Sequence, residues 1–379
     1  MAKGTSFRIL VAASFTAVAI STPRLFADSF TQTNLVSDIP GMAAHTDSNL
    51  VNPWGVSFSG TSPFWVSNQG AGNATLYDGA GNATPLVVTI PGSATPPSGP
   101  TGQVFNSSGA GFLINGTSAR FIFDNLNGSI SGWNGVGTTA AVTVPSAAGT
   151  IYTGLAFNTA GGANYLYAAN SLGSINVFDS TWANVSGTTF AGKFVDPNAQ
   201  AGFVPFNIQS VGANVYVTYA QLGPGGSPMP GGYVDIFDAN GNFIRRATLN
   251  GPLFAPWGLT IAPANFGSFS NDLLIGNFGN GEILAYDPLT GTFLGTINGD
   301  NGQPIVNERL WALATRTGGT NDDLNAVYFT AGIGGEQHGL FGKLDVSAVP
   351  EPATVVEMGS GVAALMMGLY RRRKAMMVK

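Results

Sequence analysis

Trp257-Gly258-Leu259-Thr260-Ile261 opens a stretch that continues as Leu273-Leu274-Ile275, then Leu284-Ala285-Tyr286-Asp287-Pro288-Leu289-Thr290-Gly291, then Phe293-Leu294-Gly295-Thr296-Ile297. It holds four short apolar runs parted by Gly, Asn, Asp and Pro. Short β-branched and aromatic runs bounded by turn residues read as strands. Asp287 to Gly291 is a hairpin loop, with Gly291 free to take positive φ.

The same four-run unit recurs outward in both directions. Its first run has six copies, beginning at Trp54, Thr101, Thr153, Phe206, Trp257 and Trp311. These starts lie 47, 52, 53, 51 and 54 residues apart. Each copy is followed by a second run, such as Phe64-Trp65-Val66, Tyr165-Leu166-Tyr167 or Val327-Tyr328-Phe329. A third run ends at an Asp-led turn, as in Asp235-Ile236-Phe237-Asp238, and a fourth follows, as in Leu86-Val87-Val88-Thr89-Ile90. No long window between Asp28 and Val349 shows sustained helical spacing. Six units of about 50 residues with four strands each predict an all-β fold, a six-bladed β-propeller. A sandwich or an irregular solenoid accounts less well for the regular spacing. Gly at the second position of the first run fits crowding near the ring axis. Asn34-Leu35-Val36, ahead of the first unit, is expected to pair with the last blade and close the ring.

Composition narrows the function. The chain has no Cys, so thiolate catalysis and disulfide stapling are excluded. Between Asp28 and Val349 there are 7 Lys and Arg against 18 Asp and Glu, a net charge of −11 with His neutral. Nucleic-acid binding needs a basic footprint, and none is present. No Gly-x-Ser-x-Gly stands at a strand–turn–helix. The Gly-rich stretches do not open helices, which disfavours phosphate binding.

The two ends read as targeting segments. Lys3 and Arg8 precede an apolar region from Ile9 to Ile20, and Pro23 to Ala27 ends in a small residue. That is a secretory signal with cleavage expected after Ala27. At the other end, Pro350-Glu351-Pro352 is followed by an apolar run from Val355 to Tyr370 and by Arg371-Arg372-Arg373-Lys374. A helix needs roughly 20 apolar residues to cross a bilayer, so this run suits a transient membrane stop, with the basic cluster on the cytoplasmic side. The expected division is a signal peptide over 1–27, the propeller over 28–346 and a sorting tail over 347–379.

The tail resembles the PEP-CTERM sorting signal of Gram-negative bacteria, which combines a Pro-Glu-Pro motif, a short membrane helix and a basic cluster. That resemblance implies an exosortase-type processing enzyme as partner, with delivery to the outer surface or the exterior. Gln32-Thr33-Asn34-Leu35-Val36-Ser37-Asp38, with His45-Thr46-Asp47-Ser48-Asn49-Leu50-Val51-Asn52-Pro53-Trp54-Gly55, resembles a bacterial family of exported propeller-like proteins of uncharacterised function. More distantly, the repeats are similar to NHL-type six-bladed propellers. These resemblances imply architecture and export but no chemistry.

Candidate ligands sit on the end of the ring where loops enter the first strand and join the second to the third. Asn68, Asn170 and Asn277 end their second strands and are each followed closely by Gly. An amide there can coordinate Ca²⁺, hydrogen-bond a sugar, or satisfy its own turn. Asp124-Asn125 holds the matching place in the second unit. The two histidines, His45 and His338, fall in loops of neighbouring blades, accompanied by Asp47 and Glu336. Together they could form a metal site or an acid–base pair, or remain solvated loop residues. The preferred reading is an exported, non-catalytic binding module for an extracellular polysaccharide or a protein. The alternatives are a Ca²⁺-dependent hydrolase or lactonase working at the channel mouth, and a structural matrix component.

Overall fold

A computed structural model describes residues 28–92, 98–248 and 250–347. The signal peptide with its cleavage site, the Pro350-Glu351-Pro352 motif and the basic cluster lie outside the described residues. Six antiparallel sheets stand around a central axis, in the order of the six sequence units. Blade one comprises Pro53–Ser57, Phe64–Asn68, Asn73–Tyr77 and Val88–Thr89. Blade two comprises Pro100–Phe105, Phe121–Asn125, Ile130–Trp133 and Ala141–Val144. Blade four is built from Val204–Val211, Asn214–Ala220, Tyr233–Asp238 and Phe243–Arg246. Blade five contains Pro256–Ile261, Leu273–Asn277, Ile283–Tyr286 and Phe293–Thr296. No helix among the described residues is long and apolar enough to cross a membrane.

Blade six has three of its own strands, Leu310–Ala314, Val327–Ala331 and Leu340–Val346. The N-terminal strand Phe30–Ser37 supplies the fourth, antiparallel to Leu340–Val346. The ring is therefore closed by its own N-terminus, as the position of Asn34-Leu35-Val36 implies. Blade three departs from the repeat. It has Tyr152–Ala160, Ala163–Asn170 and Ser174–Asp179, and no regular fourth strand among the described residues. The chain after Asp179 is held instead by isolated backbone bonds, Val185 N to Val177 O and Phe194 N to Gly241 O, and by side chains. Phe190 and Phe194 pack on Tyr167, and Asp196 pairs with Arg246 of blade four at 2.7 Å.

The inner strands pack backbone to backbone, and glycine permits it. A Cβ on Gly55 would stand 2.5 Å from Thr101 O, one on Gly102 2.2 Å from Leu155 N, and one on Gly258 2.2 Å from Trp311 O. Each contact reaches the inner strand of the next blade, so any side chain there would force the ring open. Blade four has Asn207 in this place, and its Nδ2 donates to Trp257 O of blade five at 2.8 Å. Apolar side chains from facing sheets fill the spaces between blades, as with Tyr77, Phe64 and Phe341 between blades one and six.

Candidate functional site

Three of the six inner strands carry Trp as their second residue, and these three blades are neighbours in the ring. The Trp54 and Trp311 rings stack with centroids 3.5 Å apart, and Trp257 meets Trp311 edge-on at 5.5 Å. Phe278 stacks on the Trp311 ring at 4.2 Å, and Arg309 lies over Phe278. Trp257 Nε1 donates to Thr153 O across the axis at 2.9 Å, and Trp311 Nε1 donates to Asn52 Oδ1 at 3.0 Å. Asn52, Ala255 and Arg309, each two residues before a Trp, adopt positive φ. For non-glycine residues that conformation costs about 1–3 kcal/mol. The packing of the aromatic layer holds it in place.

This layer plugs the channel at the end where the loops enter the inner strands, the end on which the sequence placed its candidates. Beyond the plug the channel is hollow. A cavity of about 440 Å³ follows the inner strands of all six blades. Exposure rises along these strands from the buried Trp54, Trp257 and Trp311 toward Phe58, Phe157, Val211 and Thr315, so the cavity opens at the opposite end.

The cavity wall mixes apolar side chains with neutral polar ones, including Ser57, Gln103, Asn207, Gln209, Ser210 and Thr260. Gln103 Nε2 donates to Gly55 O and to Trp65 O, both at 2.7 Å, which ties blade two to blade one. Gln103 Oε1, Ser57 Oγ and Ser210 Oγ are buried and have no partner. No Asp, Glu, His, Lys, Arg or Tyr is among the lining residues. Behind the inner strand of blade two lies Asp124, fully buried, accepting from Thr101 Oγ1 at 2.7 Å. Burial pushes its carboxyl up to about 7, against the opposing effect of the Thr101 hydroxyl and the Gly102 and Gly154 N–H groups.

The three asparagines are occupied locally. Asn277 Oδ1 accepts from Phe254 N at 3.0 Å and its Nδ2 donates to Pro252 O at 3.1 Å. Asn170 accepts from Ile151 N and Leu172 N and donates to Gly149 O. Asn68 Nδ2 donates to Asn73 Oδ1 at 2.8 Å and Thr75 Oγ1 at 2.9 Å, while its Oδ1 is buried without a partner. In blades three and five the amide thus clamps the second strand to the loop entering the same blade.

The histidines do not pair. His45 lies in His45–Thr46, which pairs with one side of the closing strand, while Leu340–Val346, which follows His338, pairs with the other. The inserted strand separates them. Asp38, the residue after that strand, takes the partner role instead, its Oδ2 2.7 Å from His338 Nδ1 and its Oδ1 accepting from Gly339 N. Asp47 accepts from Tyr77 OH at 2.9 Å. Burial raises Glu336, while Arg309 lowers it. Among the described residues no three His, Asp or Glu side chains converge to hold a metal ion.

No protein-family model matches the chain. An uncharacterized protein of Acanthamoeba polyphaga mimivirus is 31% identical over 335 residues, covering 85% of this chain and 82% of its own length. A second uncharacterized protein of that virus is 29% identical, covering 85% and 87%. This chain belongs to their family. Among solved structures, the soluble aldose sugar dehydrogenase of Escherichia coli in its apo form superposes with a TM-score of 0.51 at 13% identity, covering 84% of this chain and all of that one. A glucose dehydrogenase gives 0.50 at 14% identity, with the same coverage. These likenesses show the propeller fold alone.

Proposed function

We propose that this chain is an exported, non-catalytic binding propeller, and that its channel takes a neutral hydroxylated unit such as a sugar residue of an extracellular polysaccharide. The cavity lining carries this reading. Its volume of about 440 Å³ falls in the range of small-molecule sites. It offers amides and hydroxyls between apolar walls. A sugar presents hydroxyls around an apolar ring and carries no charge. General acid–base catalysis needs a titratable group within hydrogen-bond reach of the reacting atom, and the lining supplies none.

Calorimetric titration with a panel of neutral oligosaccharides tests the proposal. Binding to the wild type without turnover is expected. Ser57→Val with Ser210→Val should weaken it at least ten-fold, with little change in melting temperature. Turnover of the bound sugar, or no binding across the panel, would reject the reading.

Export belongs to the same proposal and rests on the two ends of the sequence. The signal-like residues 1–27, the Pro350-Glu351-Pro352 tail with Arg371-Arg372-Arg373, and a Cys-free body support it. The test is fractionation of an exosortase-bearing Gram-negative host. The full chain should pass through the membrane fraction before it reaches the exterior. A chain ending at residue 346 should skip that stage. Equal fractionation of the two would sink the sorting reading while leaving the channel reading untouched.

A further inference from the structure

A second hollow, of about 870 Å³, lies between the sheets of blades one and two. One wall is an insertion in blade two, in which Leu113–Ile114 and Thr117–Ser118 form a small hairpin. It turns on Asn115 and Gly116, both left-handed (φ 50° and 81°), as a two-residue type I′ turn requires. Asn106 holds the insertion in place, its Nδ2 donating to Ala119 O at 3.0 Å. The floor is aromatic. Trp65 stacks on Phe121 with centroids 4.1 Å apart, and Trp133 stands 4.9 Å from Trp65.

Two groups in this cleft lack partners. Trp65 is only 2% exposed, yet its indole N–H donates to nothing among the described residues. Arg120, on the rim, is exposed, and its guanidinium forms neither a hydrogen bond nor an ion pair among them; only its backbone is bonded, to Asn106 N and Trp133 O. It is also the single charged residue lining the cleft. In a body with 7 basic and 18 acidic residues, a cleft whose one charge is positive and unpaired is a local exception.

We propose that this cleft binds an acidic sugar unit, a uronate. Its carboxylate would sit on the Arg120 guanidinium, which suits planar two-oxygen recognition. Its ring would lie over the aromatic floor, and one of its oxygens would accept from Trp65 Nε1. The Thr117 and Ser118 hydroxyls on the rim would meet the remaining sugar hydroxyls. An acidic peptide fits less well. Extended peptides bind by adding to a sheet edge. The strands that carry the floor, Phe64–Asn68 and Phe121–Asn125, are already paired on both sides.

The probes are tri-galacturonate, its fully methyl-esterified form, and a hexaglutamate peptide, each titrated calorimetrically into the full propeller. The free acid should bind at least ten-fold more tightly than the ester. Arg120→Gln should reduce binding of the acid to the level of the ester, with no change in melting temperature because the side chain is exposed and unpaired. The channel variants Ser57→Val and Ser210→Val should leave this binding unchanged, which separates it from the neutral-sugar site. Equal affinity for acid and ester, an Arg120→Gln variant that binds like the wild type, or tighter binding of hexaglutamate would each overturn the proposal.

Discussion

Asp124 is the penultimate residue of the second strand of blade two, with its carboxyl shut away from water. Burial disfavours the charged form, so its folded-state pKa rises to about 7. A carboxyl raised in this way stabilises the fold below its unfolded pKa, and that contribution is lost as pH climbs through the folded value. A shift of about three units corresponds to something on the order of 4 kcal/mol across that window. Stability should therefore decline between about pH 4 and pH 7. Asp235, also buried and raised to about 7, adds to the same decline. Chemical denaturation of Asp124→Asn at a series of pH values should show a markedly flatter profile, with the Asp235 part remaining. A profile parallel to the wild type would show that Asp124 does not titrate there. The sequence put Asp124-Asn125 at a turn, on the footing of Asn68, Asn170 and Asn277. Whether such a residue faces a ligand or the neighbouring sheet depends on where two blades meet, and local turn chemistry holds no record of that. The same limit hid Asp38: it lay inside the quoted motif, but its bond to His338 spans 300 residues of sequence.

At the level of elements, what could be read was local. The alternation within each run, the Asp-led hairpins and the glycines of the inner strands all act within a few residues of themselves. Gly241, for example, takes φ 75° in the hairpin after Asp238, with Asn242 N bonded to Asp238 Oδ1 at 2.9 Å. The missing fourth strand of blade three could not be read in this way. Its replacement holds on through Phe190, Phe194 and Asp196, whose partners Tyr167 and Arg246 lie on other strands. Where His45 and His338 sit relative to each other was hidden for a related reason. Both belong near the seam, but the closing strand occupies the space between their flanking strands. Trp at the head of three inner strands was visible as a repeat, while its role as a plug depends on the narrowness of the ring. That narrowness moved the candidate site from one end of the channel to the other.

For the whole molecule, the seam is the point at which the ring is closed. Phe30, Leu35 and Val36 of the closing strand are buried, Phe30 beside Phe266 and Leu35 and Val36 among the side chains between blades six and one. Burying three such side chains is worth roughly 5–8 kcal/mol in transfer free energy. Domains of this kind are stable by only about 5–15 kcal/mol in total. Removing the strand also uncovers the edge of Leu340–Val346, a row of unpaired N–H and C=O groups that can pair with another chain. A chain starting at residue 38 should therefore lose its cooperative melt and self-associate, as measured by calorimetry and light scattering. A peptide of residues 28–37 added in trans should restore part of the transition, because the other three strands of blade six already form its binding edge. A monomeric truncated chain that still melts cooperatively near the wild-type temperature would mean that closure does not carry the stability of the ring, and that contacts between adjacent blades suffice.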